Sequence, residues 1–118
     1  MPINFTETFA TITTSTTGSW TTVDLTSLGV PDSAVVCVLM EHKTDGVGAL
    51  CGVRAVGSSL VRSATLHEPE SGGSTSTVMH VQSDSTASIQ YYKGNANSVF
   101  TLLGYYGSGV SYQEVMDL

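Results

Sequence analysis

Residues 33–57, SAVVCVLMEHKTDGVGALCGVRAVG, are the stretch that decides the fold. Residues 34–42 are an almost unbroken apolar run, which is typical of a β-strand covered on both faces. Residues 44–48, TDGVG, contain an Asp-Gly pair between apolar runs, and this predicts a tight hairpin turn. The second run, residues 49–56, carries one charge, Arg54. We therefore expect a central β-hairpin in the middle of a sheet, which builds a core and presents no chemistry.

Runs of strand-forming residues, bounded by turn signals, continue on both sides of this stretch. We expect strands at residues 9–14, 20–25, 60–66, 75–82, 87–93 and 98–106, with one helical turn before the Gly29–Pro31 turn. Residues 98–106 are apolar on both faces and predict a second central strand. Seven or eight short strands without helical periodicity indicate an all-β fold, a single antiparallel β-sandwich, jelly-roll-like or Ig-like.

The length of 118 residues and the hydrophobic fraction of 41% predict one domain with a single core. We place an extended N-terminal arm at residues 1–17, the β-sandwich domain at 18–107 and a C-terminal tail at 108–118. The apolar residues of the arm stand in a Thr-rich background and need a surface to lie on. That surface belongs either to this domain or to a neighbouring subunit.

The charge balance argues against several partners. The net charge is −6, and the basic residues Lys43, Arg54, Arg62 and Lys93 form no cluster. We expect neither nucleic acid nor an anionic membrane as a partner. The sequence has no apolar run of about 18 residues, and it has no N-terminal leader in which a charged region precedes an apolar one. It therefore predicts a cytosolic product without a membrane span or signal peptide.

Two cysteines, Cys37 and Cys51, raise the question of a disulfide. In the predicted hairpin they lie several cross-strand pairs apart, beyond the distance that a disulfide tolerates. We expect two buried free thiols that act as small hydrophobic groups, as in a reducing cytosol.

No motif of catalysis or metal binding stands out. The histidines, His42, His67 and His80, lack the short ligand spacings of zinc sites. Glu68 and Glu70 flank a proline in a Gly-rich loop, there is no Gly-x-Ser-x-Gly elbow, and no glycine pattern leads into a helix. A nucleophile built from distant Ser, His and Asp residues stays open, because abundant Ser carries no information. We expect no enzyme, no metal and no cofactor.

Tyrosines and arginines are the best indications of recognition. In the pairs at 91–92 and 105–106, one tyrosine of each pair can enter the core while the other faces out. Outward tyrosines suit a protein interface or a sugar-stacking surface, although a core tyrosine with its hydroxyl at the rim fits equally well. Arginines within apolar strands need carboxylate or carbonyl partners, which a subunit contact would supply. The candidate partner-binding residues are Ile3, Phe5, Phe9, Ile12, Arg54, Arg62, Tyr92, Tyr106 and Tyr112.

Four segments carry a resemblance to a known family. They are WTTVDL at 20–25, LGVP at 28–31, GVRAVGSS at 52–59 and LGYY at 103–106. Together they resemble small β-sandwich proteins of tailed-bacteriophage virions, the capsid decoration or cement proteins rather than tail-associated modules. The resemblance covers about residues 18–107, and its motifs are structural, so no catalytic residue is transferred.

This resemblance implies a non-enzymatic structural protein, often a homotrimer, that is made in the host cytoplasm and located on the virion surface. Its partner would be the major capsid protein, whose subunits it bridges on the outside of the phage head. Two alternatives remain from other classes. One is a carbohydrate- or receptor-binding head module of a tail fibre, and the other is a tail-tube or baseplate component.

Overall fold

In the described part of the chain, eight antiparallel strands form two four-stranded sheets. The computed structural model describes residues 4–43, 48–66, 74–107 and 110–118. The strands are β1 (Phe5–Thr11), β2 (Trp20–Asp24), β3 (Val35–Lys43), β4 (Ala49–Ala55), β5 (Ser63–Leu66), β6 (Ser74–Gln82), β7 (Ser88–Lys93) and β8 (Ser98–Tyr106). Sheet A has the order β1-β8-β3-β6, and sheet B has the order β2-β7-β4-β5. The predicted all-β antiparallel sandwich is confirmed, as is the predicted helical turn, a 3-10 turn at Thr26–Leu28.

The first four strands pair with the last four in reverse order, as in one long hairpin. β1 pairs with β8, β2 with β7, β3 with β6 and β4 with β5. The long hairpin is rolled up, so that β8 also pairs with β3 and β7 also pairs with β4. This arrangement is the topology of an eight-stranded jelly roll. Both β8 and β3 are central in sheet A, as the apolar runs predicted.

The predicted central hairpin is wrong. β3 lies in sheet A and β4 lies in sheet B, so the two strands do not pair with each other. Each is instead a central strand of its own sheet. An apolar run indicates that a strand is buried, but it does not show which sheet contains the strand. The predicted turn at residues 44–47 and the loop at 67–73 lie outside the described residues.

The core lies between the two sheets. Its largest fully buried side chains include Phe100, Met40, Ile89, Leu102 and Leu25. Phe100 of sheet A packs on Tyr91 of sheet B, with ring centroids 5.6 Å apart. Cys37 and Cys51 are both buried and free, which confirms the prediction. The predicted reason was wrong, because the two cysteines lie in different sheets rather than in one hairpin.

The predicted N-terminal arm is also corrected. The chain joins sheet A at Phe5, where β1 pairs with β8, and the Ile12 amide donates to the Phe100 carbonyl at 2.9 Å. A β-bulge between Glu7 and Ala10 shifts the register, and Phe9 has a φ of 53°. The bulge breaks the in–out alternation by which a strand is recognised in a sequence. The strand predicted at residues 9–14 therefore overlaps β1 only at its C-terminal end, and the first residues of β1 were assigned to the arm.

The predicted C-terminal tail contains a short helix, α1 (Tyr112–Met116). A capping box stabilises its start, since the Ser111 hydroxyl accepts from the Glu114 amide and the Glu114 carboxylate accepts from the Ser111 amide. The Tyr112 amide donates to the Gln82 side chain at 3.1 Å, which places α1 at the end of β6. Val115 is buried, as is Val35, the residue opposite Gln82 on β3. Both lie outside the central core cluster.

Candidate functional site

The connection from β4 to β5 forms one wall of a surface pocket. It turns at Gly57, whose φ is 85°, and the Leu60 amide then donates to the Ser58 hydroxyl. Arg54 Nη1 donates to the Leu60 carbonyl at 3.2 Å and holds the loop against sheet B. The loop leaves two consecutive apolar side chains in solvent, with Leu60 64% exposed and Val61 78% exposed.

Helix α1 and the end of β6 form the opposite wall. The pocket between the two walls has a volume of about 480 Å³. Its lining is mostly apolar and consists of Ala55, Ser58, Leu60, Val61, Arg62, Gln82 and Tyr112. We call it the Arg62 pocket. It lies where the edge strands of the two sheets, β5 and β6, come together.

Arg62 and Tyr112, which are 50 residues apart and were both predicted as partner-binding residues, meet at this pocket. Arg62 Nη2 donates to the His80 carbonyl at 2.7 Å and lies 3.4 Å from the Tyr112 hydroxyl. Its guanidinium carbon lies 5.4 Å from the centroid of the Tyr112 ring, close enough for a cation–π contact. Among the described residues, the hydrogen-bond partners of Arg62 are these two neutral oxygens. The positive charge of Arg62 therefore has no carboxylate within that part of the chain.

The opposite edge of sheet A presents exposed phenylalanines. Phe5 is 44% exposed and packs edge-on against the Tyr106 ring, with centroids 5.0 Å apart. Phe9 is 66% exposed at the β-bulge. Both were predicted as partner-binding residues, and both side chains are accessible on β1. We call this surface the β1 edge.

One of the other predicted residues is not available on this edge. Ile12 is 2% exposed in the core, which corrects its assignment as a partner-binding residue. Its position follows β1 directly, so it turns inward where the strand ends. Ile3 lies outside the described residues.

A ring stack covers part of the outer face of sheet B. The Arg54 guanidinium lies 4.2 Å from the Trp20 ring centroid, and Trp20 packs against Tyr92 at 5.7 Å. Arg54 Nε also donates to the Gln90 side chain at 2.8 Å. Arg54 therefore has its partners within the chain. Tyr92 and Tyr106 are the outward members of their pairs, while Tyr91 is buried and Tyr105 packs on the core.

A second cluster brings together a thiol, an imidazole and a hydroxyl inside the sandwich. His42 Nδ1 lies 3.1 Å from the Ser98 hydroxyl, and Ser98 also hydrogen-bonds Cys51. All three residues are at most 1% exposed. Burial raises the pKa of the Cys51 thiol, which disfavours the reactive thiolate. The cluster therefore satisfies polar groups in the core, and no substrate can reach it.

Sequence reasoning missed several residues around the Arg62 pocket. Residues 60–66 were predicted to form a strand with Leu60 and Leu66 on one face, but β5 begins only at Ser63. Leu66 is buried, whereas Leu60 points into solvent. Met116 at the end of α1 and Leu118 after it are 43% and 74% exposed and add further apolar surface. The only signal in the sequence was two adjacent apolar residues directly after the turn residues Gly57-Ser58-Ser59.

The described part of the chain has no group of three or more His, Cys, Asp or Glu side chains that could hold a metal ion. Neither helix that the structure describes is long enough to cross a membrane. No protein-family model matches the chain. A search of curated proteins likewise finds no significantly similar relative.

Proposed function

We propose that this protein is a non-enzymatic capsid decoration protein of a tailed bacteriophage, which binds the outside of the head and bridges major capsid subunits. One observation carries the proposal, the presence of exposed apolar side chains at opposite edges of a small jelly roll. Phe5 and Phe9 occupy the β1 edge, while Leu60 and Val61 line the Arg62 pocket. A domain with two contact edges is suited to join two neighbours, and either edge can face a capsid subunit or another copy of this chain.

The surface buried between this protein and the capsid subunits would stabilise the capsid. A specific protein contact typically buries about 800 Å² on each partner. Apolar area removed from water contributes roughly 25 cal/mol per Å², although association entropy offsets much of this gain. Many copies on one shell would add these small contributions over the whole lattice. The jelly roll itself is compatible with virion components and with lectins, so the fold alone does not decide between them.

Co-sedimentation with capsids tests this proposal. Purified protein is mixed with expanded heads that lack their own decoration protein, and the bound copies are counted at saturation. We expect saturable binding and a higher temperature for loss of the packaged DNA. Because β1 is part of sheet A, point variants on exposed side chains are preferable to a deletion of the N-terminus. Absence of binding at micromolar protein concentrations would contradict the proposal.

The ring stack on sheet B favours a second candidate, a carbohydrate-binding head module of a tail fibre. Sugar rings stack on the faces of aromatic side chains, and the Trp20–Tyr92 pair offers such a surface beside the polar Gln90. Arg54 already covers one face of Trp20, so a sugar would stack on the remaining aromatic surface of the pair. A glycan array with the unmodified protein and the Trp20→Ala variant tests this candidate. It predicts hits that disappear in the variant, and an array without hits would count against it.

A further inference from the structure

Phe9 is held in an unfavourable position on the protein surface. Its φ of 53° lies in the left-handed region, which residues with a Cβ atom adopt rarely and at a cost. The side chain is nevertheless 66% exposed, so the strained backbone presents a phenyl ring to solvent without burying it in this chain. Glycine at position 9 would relieve the backbone strain and remove the exposed ring. A bulged, strained residue at a sheet edge therefore points to a contact made outside this subunit.

The Arg62 pocket has the properties of a receptor for such a ring. Its volume of about 480 Å³ exceeds the size of one phenyl group, and its lining is mostly apolar. Leu60 and Val61 would lose their exposure to water if a ring entered the pocket. The aromatic ring of Tyr112 and the guanidinium of Arg62 provide further partners for an aromatic side chain.

The placement of the two features favours contact between copies. β1 is at one edge of sheet A, and β6, beside the pocket, is at the other edge. A contact between opposite edges joins copies head to tail, and such contacts close into rings when the rotation permits. The two surfaces also carry opposite charges. The exposed Glu7 lies two residues before Phe9 on the β1 edge. Arg62 at the pocket has only neutral hydrogen-bond partners within the described chain.

We propose that Phe9 of one copy inserts into the Arg62 pocket of a second copy, with Glu7 facing Arg62, so that the protein assembles head to tail into a closed ring. The contact itself rests on the two surfaces described above. A ring of three copies rests in addition on the proposed function as a decoration protein.

Light scattering with two complementary variants tests the contact. Phe9→Gly removes the ring and fits the positive φ, so its urea midpoint should not fall below that of the monomeric reference, Val61→Asp. Val61→Asp places a charge in the pocket rim at a highly exposed position. Each variant should raise the dissociation constant about tenfold or more and give mostly monomer where the unmodified protein forms rings. Leu50→Ala, at an exposed apolar side chain of β4 that belongs neither to the β1 edge nor to the Arg62 pocket, is the matched control and should still assemble.

Mixing the two variants separates a head-to-tail contact from a symmetric one. Phe9→Gly keeps an intact pocket and Val61→Asp keeps an intact Phe9, so one good contact can form between them. We expect a 1:1 dimer of twice 12.4 kDa and nothing larger. Glu7→Lys should also weaken assembly, most strongly at low salt, because salt screens the charge effect.

Several outcomes would overturn the inference. They are a monomeric unmodified protein at about 100 µM, unchanged assembly of Phe9→Gly, or no dimer in the mixture. Capsid binding is measured separately on the same samples. Rings that depend on Phe9 but do not bind capsids would leave the contact standing and refute the decoration function. Monomers that bind capsids would refute the contact between copies and leave the decoration function standing.

Discussion

Replacement of Gly52 by alanine should separate β5 from sheet B. Gly52 lies in β4 opposite Ser63 of β5. A Cβ atom on Gly52 would lie 2.1 Å from the Arg62 carbonyl oxygen and 2.9 Å from the Ser63 Cα atom. The first distance is roughly 1.3 Å shorter than the 3.4 Å at which ordinary van der Waals contact begins. Both neighbours are backbone atoms, so relief requires a shift of β5 itself and of the wall of the Arg62 pocket.

The size of this effect follows from two contributions. Overpacking that moves backbone costs about 1–3 kcal/mol, and a weakened strand hydrogen bond costs about 1 kcal/mol more. We therefore expect Gly52→Ala to lower the free energy of unfolding by about 2–4 kcal/mol. With an m-value of about 1.5 kcal/mol/M, a loss of 3 kcal/mol lowers the urea midpoint by about 2 M. Assembly should weaken as well, because Arg62 follows the displaced backbone.

Two other glycines provide controls for space and for conformation. Gly57 has no atom near its Cβ position but has a φ of 85°, so Gly57→Ala should cost about 1–2 kcal/mol. Gly107 has open space and no positive φ, so Gly107→Ala should stay within about 0.5 kcal/mol of the unmodified protein. Urea denaturation of all four proteins at one low concentration gives the ranking, since assembly adds stability. A Gly52→Ala midpoint equal to that of Gly107→Ala would refute the reasoning.

Three further predictions concern the core and the titratable groups. Phe100→Ala removes the largest fully buried side chain and should cost about 3–5 kcal/mol in urea denaturation; a loss below about 1 kcal/mol would contradict the assigned core. Hydrogen bonds from Ser88 and Thr86 hold the pKa of Asp84 below its ordinary 3.8. Asp84 therefore stabilises the fold above that value and loses this effect as pH falls through its lower native pKa. Thermal melts should show a flatter acid limb for Asp84→Asn, and an unchanged limb would argue against this linkage. Burial raises the pKa of both Cys37 and Cys51, so a thiol reagent should label them only in urea, and rapid labelling of the folded protein would contradict the structure.

The sequence indicated most strands because burial leaves a local pattern. β8 was predicted with its observed limits, since its apolar run ends at turn residues on both sides. β7 followed from the alternation of Ala87, Ile89 and Tyr91, all three of which are buried. Such patterns arise within one strand and need no knowledge of its neighbours.

The pairing of strands could not be predicted in the same way. β1 and β8 pair although their residues lie almost the whole chain apart, as in the Phe5–Tyr106 pair. An Asp-Gly pair indicates a chain reversal, but the strand that follows can enter either sheet. The bulge at Phe9 adds one residue and reverses the apparent alternation, so the edge strand was predicted at residues 9–14 instead of Phe5–Thr11. The pocket was also missed, because it joins residues 62 and 112 through tertiary structure alone.

The central position of β8 also affects the order in which the protein is made. β8 leaves the ribosome after the other seven strands, and both β1 and β3 need it as a partner. Sheet A therefore completes only after synthesis of nearly the whole domain, and pairings over such long sequence separations form slowly. Until then β1 has no sheet to join, and Phe9 has no fixed position. Assembly through β1 would thus begin only from finished subunits, which protects a growing chain from premature association.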